Sequence, residues 1–103
     1  MSLLYFSPKD PLEIIVLSVS FVNLLAAGET IASATWLVEE LDGTAVVPTD
    51  LLTGVCDIST AGIVRQIVHG GVHLSTYLHR AQAVTSLGRT LVGGGLQRVV
   101  KGA

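Results

Sequence analysis

The chain has 103 residues, and its formal net charge at pH 7 is −2. Hydrophobic residues make up 50% of it and charged residues only 14%, whereas charged residues make up about 25% of typical soluble domains. This length corresponds to one domain, and the slightly acidic balance argues against nucleic-acid binding, which relies on clustered Lys and Arg. The scarcity of charge indicates that part of the surface is buried in an assembly.

The beginning of the chain is predicted to form an extended arm. Pro8 and Pro11 bracket a charged pair, and proline pushes the residue before it away from helical geometry. The tip of the arm consists of apolar residues, namely Leu3, Leu4, Tyr5 and Phe6. This tip is predicted to dock either on its own domain or on a neighbouring subunit, because short termini are ordered only when they are tied down. We therefore divide the chain into the arm, residues 1–11, and a single domain, residues 12–103.

The apolar stretch at residues 14–27 is too short to cross a membrane as a helix. Glu13 and Glu29 bound this stretch and Asn23 interrupts it, whereas a spanning helix needs about 20 apolar residues. The arm also lacks the basic leader of a signal peptide. We therefore expect no membrane partner, and a membrane-active segment at residues 12–27 is kept as an alternative.

The rest of the chain is predicted to consist of short β-strands separated by glycine-containing turns. Ser18 and Ser20 alternate with apolar residues, which is the period of a strand. The predicted strands lie at residues 12–21, 31–41, 62–69, 74–85 and 90–100, with a further short strand within residues 44–58. Trp36 and Tyr77 are predicted to anchor the core or, as the alternative, an interface. This pattern is typical of an all-β fold, an antiparallel sandwich or barrel.

No residue pattern in the chain predicts catalysis or a bound cofactor. The histidines, His69, His73 and His79, have no carboxylate close to them in sequence and are predicted to be surface or interface residues, not metal ligands. Cys56 is the single cysteine, which excludes an internal disulfide and favours a small buried apolar residue. Residues 93–95 are glycines without the Lys and Ser or Thr of a phosphate-binding loop, so they are predicted to form a bulge or a mobile connection. We therefore predict no enzyme activity, no cofactor and no metal.

Two stretches combine a glycine turn with a strand. Residues 28–36 read GETIASATW, and residues 70–89 read GGVHLSTYLHRAQAVTSLGR. The order and spacing of these residues resemble a family of small tailed-phage proteins, the fibre-tail adaptor or virion structural proteins. The chain departs from that family's pattern at Leu74 and Ala81, where Gly and Asn are common, and at the glycines of residues 93–95.

The resemblance implies a small antiparallel immunoglobulin-like β-sandwich with an extended N-terminal arm, present in several copies in a virion. It implies a structural protein that joins tail fibres to the tail, in the tail or neck region, after synthesis in the host cytoplasm. Expected partners are other virion proteins, namely tail tube or portal-proximal tail proteins and the tail fibre, and further copies of the chain itself. Two alternatives stay open: a head decoration, head-completion or neck protein of the virion, and a small membrane-active phage protein.

The residues expected to bind partners are chosen for their expected exposure. They lie in the tip of the arm and in turn regions, and they are Leu3, Leu4, Tyr5, Phe6, Glu29, His73 and Arg89. Their expected role is assembly, with no catalytic part. Replacement of the arm residues is therefore expected to reduce incorporation into particles while the isolated domain stays folded.

Overall fold

The computed structural model describes residues 4–103, which form seven β-strands and no α-helix. The strands are β1 (Leu4–Tyr5), β2 (Ile15–Ser20), β3 (Ile31–Glu40), β4 (Leu52–Asp57), β5 (Ile63–Val68), β6 (Thr76–Thr85) and β7 (Thr90–Arg98). Single-turn 3-10 helices lie in two of the connections, at Val22–Leu24 and Pro48–Asp50. The prediction of an all-β fold is confirmed, and each predicted strand overlaps an observed one.

The strands form two sheets that pack face to face. One sheet has the order β1-β7-β6-β3 and the other has the order β2-β5-β4. All pairings are antiparallel except that of β1, which runs parallel to β7. In an immunoglobulin domain, strands B, E and D lie in one sheet and strands C, F and G in the other. In chain order β2 to β7 correspond to strands B to G, and they divide between the two sheets in the same way. The predicted immunoglobulin-like β-sandwich is confirmed.

Alternation along β6 shows how the sequence builds the interior. Successive side chains of a strand point to opposite faces of its sheet, and β6 buries every second one: Tyr77, His79, Ala81, Ala83 and Thr85. These residues meet the apolar side chains of the opposite sheet. The main core cluster consists of Leu17, Val19, Phe21, Trp36, Val64, Val68, Ala81 and Ala83. Trp36 is 6% exposed and belongs to this cluster, so its predicted core role is confirmed. Burial of such a large apolar side chain stabilises a fold by roughly 1.5–3 kcal/mol.

A hydrogen bond between two aromatic rings crosses the core. The indole Nε1 of Trp36 donates to Nδ1 of His79 at 3.0 Å. In immunoglobulin domains a tryptophan of strand C packs against a disulfide, and in this chain the tryptophan contacts a histidine instead. The prediction that the histidines are surface or interface residues is wrong for His79, which is 1% exposed because the alternation of β6 turns it inward.

Tyr77 fixes the corner between β5 and β6. Its ring is buried, and its hydroxyl accepts a hydrogen bond from the backbone N–H of Val72 at 3.0 Å. Such a tyrosine corner at the start of strand F is a hallmark of immunoglobulin-like sandwiches. The same corner holds Leu74 at a φ of 72°, a left-handed conformation that costs residues with a side chain roughly 1–2 kcal/mol.

The glycines of residues 93–95 lie inside β7, and their pairing with β6 continues without a register shift. A Cβ atom on Gly94 would lie 1.9 Å from the carbonyl oxygen of His79, and one on Gly93 would lie 2.9 Å from Cγ1 of Val19. The predicted bulge or mobile connection is therefore wrong. Glycine is needed here because β7 approaches both the β6 backbone and the opposite sheet too closely for a side chain.

Candidate partner-binding surfaces

Two of the predicted turn residues, Glu29 and Arg89, contact each other at one end of the sandwich. The Glu29 carboxylate accepts hydrogen bonds from Nε of Arg89 at 2.9 Å and from the Thr85 hydroxyl at 2.5 Å, and it pairs with Nη2 of Arg89. It also accepts the backbone N–H of Ala26 at 2.8 Å. Arg89 in turn donates to the carbonyl oxygen of Leu24 at 2.8 Å. These contacts, which we call the ionic clamp, tie the loop before β3 to the turn between β6 and β7.

The ionic clamp changes what Glu29 can offer to a partner. Glu29 is 5% exposed, so the expectation that it is an exposed turn residue is wrong. Hydrogen bonds from Arg89, from Thr85 and from the backbone lower the pKa of Glu29 to about 2, and the carboxylate raises the pKa of Arg89. Both groups therefore stay charged at neutral pH, and the half-exposed Arg89 side chain is the part of the clamp that a partner can reach.

His73 lies at the opposite end of the molecule. It precedes β6 whereas Arg89 follows β6, and a strand of that length spans roughly 33 Å. His73 is exposed, and its Nδ1 accepts the backbone N–H of Lys101 at 3.0 Å. The predicted turn residues therefore do not form one surface.

The arm lies along β7 of its own domain. Leu3 lies outside the described residues, and Leu4 and Tyr5 pair in parallel with β7. The backbone N–H of Phe6 donates to the carbonyl oxygen of Leu96 at 2.9 Å, and the Phe6 ring packs against the core. The Tyr5 side chain is 79% exposed. Within the described part of the tip, Tyr5 is thus presented to solvent whereas Phe6 is half-buried.

A buried lysine, which the sequence analysis did not single out, holds the rest of the arm. The Nζ atom of Lys9 donates to the carbonyl oxygen of Gly70 at 2.7 Å and to that of Asp10 at 2.8 Å. Burial lowers the pKa of Lys9. The Asp10 carboxylate accepts the backbone N–H of Gly102 at 2.6 Å. Lys9 thus fastens the arm to the turn after β5, and Asp10 fastens it to the C-terminal residues.

The outer face of the three-stranded sheet carries exposed apolar side chains. Val16 of β2 and Ile67 of β5 are register partners, and both are exposed. Val55 lies beside them and is 95% exposed, because β4 bulges away from the ladder between Thr53 and Asp57. Neighbouring exposed apolar residues of this kind mark interaction surfaces. We call this region the apolar face.

An apolar cavity of about 410 Å³ opens between the edge strands β3 and β4. Its walls include Ala34, Trp36, Leu52 and Cys56, and none of the described residues that line it is charged. Burial raises the pKa of the Cys56 thiol, so this group is neutral and contributes to the wall as an apolar side chain. The sequence signal for this site was the uncharged run at residues 31–38, which the sequence analysis assigned to a strand without a binding role.

Residues 4–103 contain neither a cluster of metal ligands nor a helix that could span a membrane. No three or more His, Cys, Asp and Glu side chains of this region are arranged to hold a metal ion. Each histidine has a different partner: Nε2 of His69 is 3.1 Å from the carbonyl oxygen of Thr49, His73 bonds to Lys101, and His79 bonds to Trp36. In the same part of the chain no helix is long and apolar enough to cross a membrane. Residues 15–20 of the apolar stretch form β2 instead.

A comparison with protein families gives a match that covers most of the chain. The matching family is described as Podophage GP4 fiber-tail adaptor protein gp77, and the match spans residues 9–94. It begins at the buried Lys9 and includes both strands of the tryptophan–histidine contact. A search of curated proteins gives no match.

Proposed function

The chain belongs to the podophage GP4 fiber-tail adaptor family, and on that premise we propose that it joins tail fibres to the tail of a bacteriophage through protein–protein contacts. Membership in this family makes it a structural adaptor protein of a phage tail. The observation that carries the proposal is the family match over residues 9–94. The finer statement, that fibres are what it joins, rests on the family's description and on the surfaces of the sandwich.

An adaptor needs two separate surfaces, and the sandwich offers them. The apolar face lies on the outer side of one sheet, with Val16, Val55 and Ile67 exposed. The cavity beside β3 adjoins this face, because Val55 lines it as well. The second, separate surface is on the other sheet, where Tyr5 is exposed next to β7. Burial of a Val or Ile side chain is favourable by roughly 1.5–3 kcal/mol before the entropic cost of association is subtracted. Several copies of the contact in one particle add avidity.

The proposed partners are tail tube or portal-proximal tail proteins on one side and a tail fibre on the other. Several copies of the chain would occupy equivalent positions around the tail axis, since protein assemblies of this kind use rotational symmetry. Synthesis in the host cytoplasm suits the free thiol of Cys56. The structural nature of the family supports a role without catalysis.

The test is a cryo-EM reconstruction of the intact particle, combined with particles made without this chain. We expect density for the sandwich between the tail and the fibres, and tails without fibres when the chain is deleted. Density that follows the capsid symmetry would show a head decoration protein and would refute the adaptor proposal. Fibres that remain attached in its absence would refute it as well.

A further inference from the structure

We propose that the unpaired edge of β3 receives an extended, mostly uncharged segment of a partner protein as an added antiparallel strand. This inference rests on the proposed function, because it names the kind of segment that a tail or fibre protein would supply. The feature that supports it is the coincidence of a free backbone edge with the apolar cavity between β3 and β4.

The direction of the backbone groups identifies the free part of β3. The N–H of Leu41 donates to Thr76 toward β6, whereas the N–H of Glu40 donates to Thr44 on the other side. Because the two directions alternate in an antiparallel ladder, and because the register from Ser33 to Glu40 is regular, the N–H and C=O groups of Ala34 and Trp36 point away from β6.

The edge of β3 is the longest edge of the two sheets, and its pairing is regular from Ser33 onward. Natural sheet edges are kept from pairing by short strands, bulges, prolines or charges. β1 has only two residues, and β4 is bulged between Thr53 and Asp57. β2 is also uncharged but has six residues, whereas β3 has ten and carries no charge at residues 31–38. The register shift of β3 lies at its start, between Ile31 and Ser33. Among the described residues, a bridge between Glu39 and Ala45 covers its last part.

A buried glutamine lines the cavity beside this edge. Nε2 of Gln66 donates to the carbonyl oxygens of Thr53 and Gly54 at 3.1 and 3.2 Å. These bonds satisfy backbone groups of the bulge and tie it to β5. A volume of about 410 Å³ lies within the roughly 300–1,000 Å³ range of ligand pockets. Alternate side chains of an added strand would point into it, and they must be apolar because a charge buried there would lack a partner.

Charge at one end of the edge defines the rest of the partner segment. Glu39 and Glu40 end β3, and Glu40 and Asp50 border a hollow of about 310 Å³ at that end. Among the ion pairs of the described residues, the cation at this end is Arg80, whose Nη2 lies 3.6 Å from Oε1 of Glu39. An antiparallel segment would begin beside the covered end of β3, near these carboxylates, so it should begin with Lys or Arg and continue along Trp36 and Ala34 with alternating apolar residues. Variable-type immunoglobulin domains add strands to the sheet of strands C, F and G, so this sheet geometry can be extended.

The first test uses a synthetic acetylated peptide that begins with two lysines and continues with alternating valine and threonine. In the free protein we expect fast amide hydrogen exchange at Ala34 and Trp36 and slow exchange at Thr35 and Leu37, whose N–H groups face β6. Saturating peptide should slow exchange at Ala34 and Trp36 at least about tenfold, the equivalent of about 1.4 kcal/mol. Unchanged exchange at both amides would refute the proposal.

Two variants and a second peptide test position and charge. Ala34→Pro removes an outward N–H without removing a bond to β6, and it should weaken binding of the peptide about tenfold or more. Ser18→Pro is the matched control on the edge of β2, where alternation from the Phe21 bond to Gly62 also turns the N–H outward, and its binding should stay within about twofold. A peptide with glutamates in place of the lysines should bind more weakly. Equal loss in both variants, or no preference for lysine, would contradict the proposal.

Two further outcomes separate this inference from the alternatives. Protection of the Ala34 and Trp36 amides that rises with protein concentration, without peptide, would show that a second copy occupies the edge and would refute a partner segment. A chain located between tail and fibres, with neither amide protected by the peptide, would leave the adaptor role standing and refute the edge site. Protected amides in a chain located on the capsid would support the edge site and refute the adaptor role.

Discussion

Two polar contacts join distant parts of this chain, and they rely on opposite charge states. In the ionic clamp, Arg89 and Thr85 hold the carboxylate of Glu29 in its ionised form. In the core, burial holds His79 in its neutral form, and the ring accepts a hydrogen bond from Trp36. The clamp borders solvent through the half-exposed Arg89, whereas the histidine lies among apolar side chains. Position in the sandwich therefore decides which protonation state stabilises the fold.

The largest expected effect comes from the core contact. Trp36→Ala should lower the free energy of unfolding by about 3–5 kcal/mol, because it removes a large buried side chain and leaves a cavity and also leaves Nδ1 of His79 without its donor. Urea denaturation at neutral pH measures the loss. Leu37→Ala is the control, since Leu37 points to the outer face and is partly exposed, and it should cost less than about 1 kcal/mol. Equal losses in the two variants would show that Trp36 contributes no more to stability than a residue of the outer face.

Acid should weaken the core contact first. Burial lowers the pKa of His79 to about 4 from its ordinary value of 6.5. Because the folded state favours the neutral ring, the contribution of His79 is complete above pH 6.5 and is lost as the pH falls from 6.5 toward 4. The loss should reach roughly 3 kcal/mol, measured as the urea midpoint against pH. His79→Gln should abolish this step, and a step that persists in that variant would assign it to another group.

The ionic clamp should respond to acid in a lower window and by a smaller amount. The folded pKa of Glu29 is about 2 and its ordinary value is 4.5, so its contribution is complete above pH 4.5 and is lost as the pH falls toward 2. Arg89→Ala removes the largest cause of this shift. This variant should reduce the stability that is lost between pH 4.5 and 2, because the pKa of Glu29 moves back toward its ordinary value. It should lower the urea midpoint at neutral pH by less than Trp36→Ala does, because solvent screens the half-exposed Arg89. Glu29→Gln is the matched variant, and an acid step below pH 4.5 that survives in it would contradict the assignment to the clamp.

The smallest expected effect concerns the end of the sandwich opposite the clamp. Leu74 has a φ of 72° and an exposed side chain, so Leu74→Gly relieves backbone strain of roughly 1–2 kcal/mol. The greater conformational freedom of glycine in the unfolded chain offsets part of this gain in stability. We expect a gain of about 0.5–1 kcal/mol in the free energy of unfolding. Gly88→Ala, at a φ of 80° with open space around it, should instead destabilise by about 1 kcal/mol. Losses in both variants would mean that the Leu74 side chain contributes more than its strain costs.

The strands were predictable because their information is local. Alternation of polar and apolar residues and the glycine-containing turns located the strands to within a few residues. The placement of Tyr77 and Trp36 in the core followed from the same pattern, and the family resemblance added the immunoglobulin-like arrangement. The uncharged run of β3 was visible as well, although an edge strand and a central strand with such a composition look alike before the sheet order is known.

The candidate surfaces were less predictable, because exposure at a turn depends on what the turn packs against. Glu29 reads as a turn residue in sequence, yet the turn at Arg89 folds back onto it and buries it. Tyr5 and Phe6 are neighbours in an apolar tip, yet only the parallel pairing with β7 turns one outward and the other toward the core. Lys9 reads as a solvated charge, and the long-range bond to Gly70 makes it part of the interior.

The sequence by itself determined the all-β class, the positions of the strands and the low charge that suits an assembled protein, since strand periodicity and composition act over a few residues. Tertiary structure alone decided that His79 is a neutral core residue, that the glycines of residues 93–95 serve close backbone approach, and that β3 is a free edge beside a cavity. Each of these depends on contacts between residues distant in the chain, such as the pairing of β6 with β3 and β7. The period of a strand shows which residues share a face, as His79 and Tyr77 do, but it does not show which strands become neighbours or which face is covered.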